Sequence, residues 1–527
     1  LKVVLAEKVS PATLAVFQSE AGWEVLTHDQ VKNLPEALAD ADALVVRSAV
    51  QVDDALMAAA PKLRVIGRAG VGVDNIDAEA ATRRGIVVMN TPGANAIAVA
   101  ELALGLMIAL ARQLPRADAT MHAGKWEKKS LQGSELRGKK LGILGLGRIG
   151  LEVARRARNF GMELLGHDPF VSASIARENA IRLVSAEELF ELSDYITLHV
   201  GLTPQTEGIV NAASIATMKK GVRIVNCARG ELVVEADLAA ALKSGQVGGA
   251  ALDVFHEEPP KNSPFAALDN VILTPHIAGS TGEAQEAVGI QIALQVREYL
   301  KSGIAQNAVN LPSLSHEEYQ EMAPWMTLAE RLGTFLAQIP RGSIDSIQIV
   351  YHGRLAETKT ELIRNSAIAG VLGHLEQVNR INAASVAAER GIRLHEEKKE
   401  EPRGAAGSVL QLSLHTNEAS ITASGAILHG DSPRLLHLDG IDIEAPLQGT
   451  LITIRNKDVP GVIGRIGTIL GEHNVNIANF ALGRADARDS APASALAVVQ
   501  VDGEVTEAVL RELRGVAAIT GVRLVTL

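Results

Sequence analysis

Three side chains in the middle of the chain are of the types that oxidation of a secondary alcohol requires. Arg229 follows the run Val222 to Ala228, Glu258 follows the run Ala250 to Phe255, and His276 follows the run Val271 to Pro275. Each run is apolar and reads as a buried parallel strand, so each residue stands just beyond a strand's carboxyl end. Open α/β sheets bind their ligands there. An imidazole titrates in the working pH range and is suited to take a hydroxyl proton. A carboxylate such as Glu258 would hold the other ring N–H and stabilise the imidazolium. The forked guanidinium of Arg229 would grip a substrate carboxylate and polarise a carbonyl. Together the three suit hydride removal from C2 of a 2-hydroxy acid.

Such a reaction needs a hydride acceptor, and the segment Leu141 to Gly150 predicts where it binds. Gly145-Leu146-Gly147-Arg148-Ile149-Gly150 follows an apolar strand and opens a helix running from Leu151 to Phe160. A second strand, Glu163 to Gly166, then leads to Asp168. This is the complete βαβ setting that a dinucleotide-binding glycine turn requires. Gly145 permits the turn, Gly147 lets the backbone approach a pyrophosphate, and Gly150 lets the helix pack on the strand. The helix start offers N–H donors and a positive dipole end. Asp168 would bind the adenosine ribose hydroxyls and repel a 2′-phosphate, which selects NAD over NADP. Asp253 ends a strand near the expected nicotinamide and reads as a partner of its carboxamide. Cys227 reads as a small core residue rather than a nucleophile. The 14 histidines show no metal-ligand spacing, so no metal is expected.

The elements that must position these groups are legible from composition and pattern. The chain has 527 residues, 47% of them hydrophobic, which is enough for three or four packed domains. Aromatics are only 3%, so the cores are built from Ala, Val, Leu and Ile. A net charge of −10 argues against a nucleic-acid partner. The single cysteine excludes an intrachain disulfide and suits a reducing compartment. Leu1 to Leu5 lacks the pattern of a secretory leader. The apolar stretch Ala98 to Ala111 is broken by Glu101 and is too short for a bilayer, so the expected location is the cytoplasm, with no membrane partner.

Short apolar runs alternate with Ala-rich helical segments over residues 1–90, which predicts a parallel sheet covered on both faces. A helix from about Ala96 to Arg112 follows, and a second α/β series runs from Leu141 to about His276. A helix from about Thr281 to Leu300 would return the chain to the first unit. Further helices are predicted over Trp325 to Gln338 and Thr358 to His374, and the charged segment Glu396 to Arg403 reads as a solvated turn. The last stretch reads β-α-β-β-α-β. The resulting domains are 1–98 with 281–305 for substrate, 99–280 for NAD, 313–450, and 451–527.

The motifs around Gly145, the stretch Asn226-Cys227-Ala228-Arg229-Gly230, the stretch Asp253 to Pro259, and Thr274-Pro275-His276 resemble the D-isomer-specific 2-hydroxyacid dehydrogenases. The resemblance covers about 300 residues and implies the Arg-Glu-His roles for Arg229, Glu258 and His276. It also implies that NAD contacts include Arg148, Ile149, Asp168, Cys227, Ala228, Arg229, Asp253, His276, Ile277, Ala278 and Gly279. Val46-Arg47-Ser48 and Gly67 to Asn75 resemble the substrate loops of the branch that acts on 3-phosphoglycerate. Arg47, Ser48, Arg68, Gly70 and Val71 are then the substrate contacts, with the two arginines supplying cations for phosphate. Gly124 to Lys129 lies where this family dimerises, and reads equally as a solvated charge run. Residues 313–450 resemble, by position and length, the intervening domain of the branch's long form. Residues 451–527 look like an ACT domain, carried by Asp458 to Ile463 and Asn474 to Ile477. The resemblance implies L-serine as effector, with Asn456, Asp458 and Asn476 as contacts, while a role in assembly alone stays open. The expected fold is α/β, with two Rossmann-like doubly wound domains, an α+β intervening domain and a ferredoxin-like βαββαβ ACT domain. The expected assembly is a homodimer or homotetramer. Two rival readings are a reductase of glyoxylate or lactate, and an NAD-sensing binding protein without catalysis.

Overall fold

A computed structural model describes residues 1–312, 316–339, 342–373, 378–403, 407–485 and 494–527. The described residues form four sheets. The first has five parallel strands, Lys2–Leu5, Glu24–Leu26, Ala43–Val46, Val65–Arg68 and Val87–Met89. Counted along the chain, their spatial order is 2-1-3-4-5. Every residue of Ala43–Val46 is buried, as a central strand covered on both faces requires. One cover comes from far along the chain. Helix Gly282–Ser302 lays Val288, Ile292, Ala293 and Val296 against Val3, Leu5, Val65 and Val87. A Cβ at Gly67 would stand 2.7 Å from Val296 Cγ2, so only glycine lets this helix come so close. Thr281 caps that helix by accepting the Ala284 N–H at 3.1 Å.

The second sheet has seven parallel strands in the order 7-6-5-4-1-2-3. Its first strand, Lys140–Leu144, lies beside its fourth, Tyr195–Leu198. Strand order reverses between these two, and a crevice opens beyond their carboxyl ends. Helix Ala96–Arg112 buries Val99, Ala103, Met107 and Leu110 against this sheet, a one-face spacing of three and four.

The third sheet is mixed and six-stranded, with helices His316–Ala337 and Glu361–Leu372 packed on it. The second helix is shorter than the pattern predicts, and His374 lies outside the described residues. The segment Glu396 to Arg403 requires a correction. Arg393–Lys399 is an edge strand, paired in parallel with Ile344–His352. Every residue of this strand except Leu394 is exposed, so its charges stay in water and do not oppose pairing. Glu396 is anchored there by the Tyr351 hydroxyl at 2.8 Å and by Arg364 at 3.2 Å.

The fourth sheet is antiparallel, order 2-3-1-4, with helices Val462–Glu472 and Glu507–Arg514 in its core. This is the ferredoxin-like arrangement. Leu451, Leu496, Val498 and Val525 instead join the core of the third sheet, so the last two units share one apolar seam. Among the described residues no single helix is long and apolar enough to cross a membrane.

Candidate active site

The second sheet brings His276 and Glu258 together. His276 Nδ1 lies 2.7 Å from Glu258 Oε2. The other carboxylate oxygen, Oε1, accepts the Phe255 N–H at 3.1 Å, which fixes the plane of the group. A carboxylate partner puts the imidazole proton on Nδ1 and leaves Nε2 as the basic nitrogen. His276 itself has φ +50°, in the left-handed region. Asp253 holds that turn. Fully buried, it accepts Thr274 Oγ1 at 2.6 Å, the Ile277 N–H at 2.9 Å and the Ala278 N–H at 2.8 Å. Its backbone carbonyl accepts the His276 N–H at 2.9 Å. Asp253, expected to meet a carboxamide, is thus also the anchor of the loop that displays the imidazole.

Facing this pair is a cleft of about 540 Å³ lined from both α/β units. Arg47, Ser48, Arg68, Gly70 and Asp74 come from the first, and Glu258, His276 and Gly279 from the second. Val71 stands back from the lining, its carbonyl accepting Asn90 Nδ2 at 2.6 Å. Arg229 reaches across from the second unit to Asp74, Nη2 to Oδ2 at 3.1 Å. Its turn is tied by buried Asn226, which donates to the Arg229 carbonyl at 2.7 Å and accepts the Ala228 N–H at 3.0 Å. Arg68 is largely buried and its Nε has no partner. Burial first, and then the charge of Arg229, lowers its pKa from the ordinary value; Asp74 and Glu7 oppose the shift, and Arg47 adds to it. Arg47 and Arg68 thus line the cleft, and Arg229 borders it through its ion pair with the lining residue Asp74.

The crevice fits NAD. Gly145 has φ +91°, and a Cβ there would stand 2.5 Å from the His199 carbonyl oxygen. A Cβ at Gly150 would stand 2.0 Å from the Gly145 carbonyl oxygen. At Gly147 a Cβ would meet nothing within 4 Å. Gly147 caps helix Arg148–Asn159 without a side-chain hydrogen bond, so the first helical N–H groups face open space. Asp168 is fixed by the Leu146 N–H and the Phe170 N–H, both at 2.8 Å. The Arg148 guanidinium donates to the Pro92 carbonyl, at the junction between the two units. Ile149 packs against the core, Ile277 is exposed, and Ala278 is buried. Gly279 faces Asn95. Cys227 is buried, and burial together with Asp253 pushes its thiol pKa up, which makes it inert as a nucleophile.

Sequence reasoning missed several groups here. Asp74 and Asn75 were within reach, inside the stretch Gly67 to Asn75. Asn226 is the polar residue that ends an apolar strand. Glu7, a lone acid after the first strand, carries no local signal. His199 follows the fourth strand. Its Nε2 pairs with Thr197 Oγ1 at 2.8 Å, its Nδ1 is buried without a partner, and burial lowers its pKa to about 4.

In the last unit the three effector residues do not gather. Asn456 is buried with its Oδ1 unpartnered, and pairs in register with Ala495. Asp458 bonds Arg484, Oδ2 to Nε at 3.2 Å. Asn476 pairs with Asp502, its Nδ2 donating to Oδ2 at 3.0 Å. Ala495 and Asp502 are seven residues apart on one strand, roughly 23 Å. Among the described residues no group of three or more His, Cys, Asp or Glu is placed to hold a metal.

The fold and the site define an NAD-dependent dehydrogenase of the 2-hydroxy acid class. Residues 104–278 match the family model of the D-isomer specific 2-hydroxyacid dehydrogenase NAD binding domain. Residues 321–439 match the D-3-phosphoglycerate dehydrogenase intervening domain, and residues 450–518 the ACT domain. The chain is 40% identical to the D-3-phosphoglycerate dehydrogenase of Methanocaldococcus jannaschii, over 100% of both chains. To that of Bacillus subtilis it is 35% identical, over 100% of this chain and 99% of the other. The D-lactate dehydrogenase from Aquifex aeolicus, solved with NAD and lactic acid, aligns over 59% of this chain and 100% of its own, at TM-score 0.53 and 27% identity. The chain belongs to the D-3-phosphoglycerate dehydrogenase family.

Proposed function

We propose that the chain oxidises D-3-phosphoglycerate to 3-phosphohydroxypyruvate, the first step towards L-serine. The observation that carries this reading is that Arg47 and Arg68 line the same cleft as the His276–Glu258 pair, with Arg229 bonded to the lining residue Asp74. An unphosphorylated hydroxy acid needs cations for one carboxylate, whereas this cleft suits two anionic ends. Arg229 exchanges its Asp74 partner for the substrate carboxylate, and Arg47 and Arg68 hold the phosphate with Ser48 and the Gly70 backbone. NAD, when bound in the crevice, supplies the hydride acceptor. His276 Nε2 takes the C2 hydroxyl proton, and Glu258 stabilises the imidazolium that forms. The junction Thr91-Pro92-Gly93, where Gly93 has φ +87°, is the hinge on which the two units close over the substrate.

The last unit is the place for a small-molecule effector, which we propose is L-serine. A site using Asn456 and Asp458 of one chain takes its Asn476 from a second copy, which fits a homodimer or homotetramer. The reduced thiol of Cys227 is compatible with the cytoplasm as the working compartment.

A substrate panel tests the reading. NADH formation should be fastest with D-3-phosphoglycerate and should fall when serine is added. Equal turnover of D-lactate or D-glycerate would overturn the substrate assignment, and indifference to serine would overturn the effector.

A further inference from the structure

The loop Arg47 to Val50 is held from both sides by two residues without an assigned role. Glu7 Oε1 accepts the Arg47 N–H at 2.8 Å and the Ala49 and Val50 N–H groups at 3.2 Å each, and Oε2 shares the Ala49 N–H at 3.3 Å. Asn75 is buried, and its Nδ2 donates to the Arg47 carbonyl at 3.0 Å and the Val50 carbonyl at 2.7 Å. Asn75 is itself locked, because its carbonyl accepts the Val52 N–H at 2.8 Å. One side chain thus collects the loop's donors and the other its acceptors. Arg47 lines the cleft, and its guanidinium also donates to the Lys8 carbonyl at 3.4 Å.

We propose that Glu7 and Asn75 are positioning residues that set the preference for a phosphorylated substrate, by fixing the loop that presents Arg47 and Ser48 to the cleft. This deepens the reading above and rests on it. A loop ordered before binding does not lose its freedom when the ligand arrives, so the phosphate contact is tighter. The contacts to the reacting end come from elsewhere. Arg229, Glu258 and His276 belong to the second unit, and the glycine crevice lies beyond them. Loosening the loop therefore weakens the hold on the phosphate end and spares the reacting end.

The test compares kcat/KM for D-3-phosphoglycerate and for D-glycerate, which shares C1 and C2 but lacks the phosphate. Glu7→Ala should lower this ratio about tenfold, mainly through the KM for D-3-phosphoglycerate, with NADH affinity unchanged. Glu7→Gln should keep the ratio near that of the unaltered chain, because Oε1 receives all three N–H groups, the amide retains that oxygen, and only the shared 3.3 Å contact of Oε2 with Ala49 is lost. Asn75→Asp, which turns two donors towards carbonyls into acceptors, and Asn75→Ala, which removes them without adding a charge to the cleft that Asn75 lines, should both lower the ratio as Glu7→Ala does. If Glu7→Ala does not fold, Asn75→Asp and Asn75→Ala are read in its place. A normal ratio in the alanine or aspartate variants overturns the proposal. So does a loss of NADH affinity in step with the ratio, which marks a general structural defect. No preference for the phosphorylated substrate in the unaltered chain overturns the substrate assignment instead.

Discussion

His276 Nδ1 and Glu258 Oε2 lie 2.7 Å apart, although the two residues are eighteen positions apart in the chain. The pair forms because two neighbouring strands of the second sheet end side by side. Glu258 is oriented by a backbone N–H and His276 by the buried Asp253, so neither side chain is free to drift. Glu258→Gln keeps the size and the acceptor for Phe255 but removes the charge that the imidazolium needs. Its kcat should fall by about 10² or more, with the KM for NAD unchanged. Steady-state kinetics at saturating substrate checks this, and a kcat within twofold of the unaltered chain contradicts it.

The glycine turn makes two opposite predictions. Gly147→Ala adds a methyl group in open space, so thermal stability should hold while NADH affinity drops at least about tenfold, because the pyrophosphate needs that space. Gly150→Ala drives a methyl group to 2.0 Å from the Gly145 carbonyl oxygen, so the protein should lose about 2 kcal/mol or more of stability. Melting curves and NADH fluorescence titrations separate the two. Equal stability losses contradict the assignment.

His199 predicts a pH effect on stability. Its ring is neutral in the folded state, with a pKa lowered by burial from 6.5 to about 4. Above pH 6.5 neither the folded nor the unfolded chain carries the charge. As pH falls from 6.5 towards 4, the unfolded chain takes up a proton that the folded chain refuses, and stability is lost over that window. His199→Gln should melt with a smaller drop between pH 7 and pH 5 than the unaltered chain. An identical drop contradicts the role.

Much of this site was legible in the residues because its chemistry is local. Gly145, Gly147 and Gly150 answer to backbone geometry over six positions, and Arg229, Glu258 and His276 each follow a readable strand. The brace on the Arg47 loop was not legible, since Glu7 meets its partners forty residues away and looks like any surface acid. The strand Arg393–Lys399 was hidden by its charges, which an edge position tolerates. Asn456 and Asn476 look like one cluster in sequence. The 2-3-1-4 strand order instead sends them to opposite ends of the sheet.

The central claim is that His276 takes the proton from the substrate hydroxyl. NADH formation from D-3-phosphoglycerate by His276→Ala, measured beside an NADH titration of the same variant, tests it most directly. Turnover should fall by about 10³ while NADH affinity stays within about twofold of the unaltered chain. Turnover within tenfold of the unaltered chain, with the cofactor still bound, would show that another group does the work.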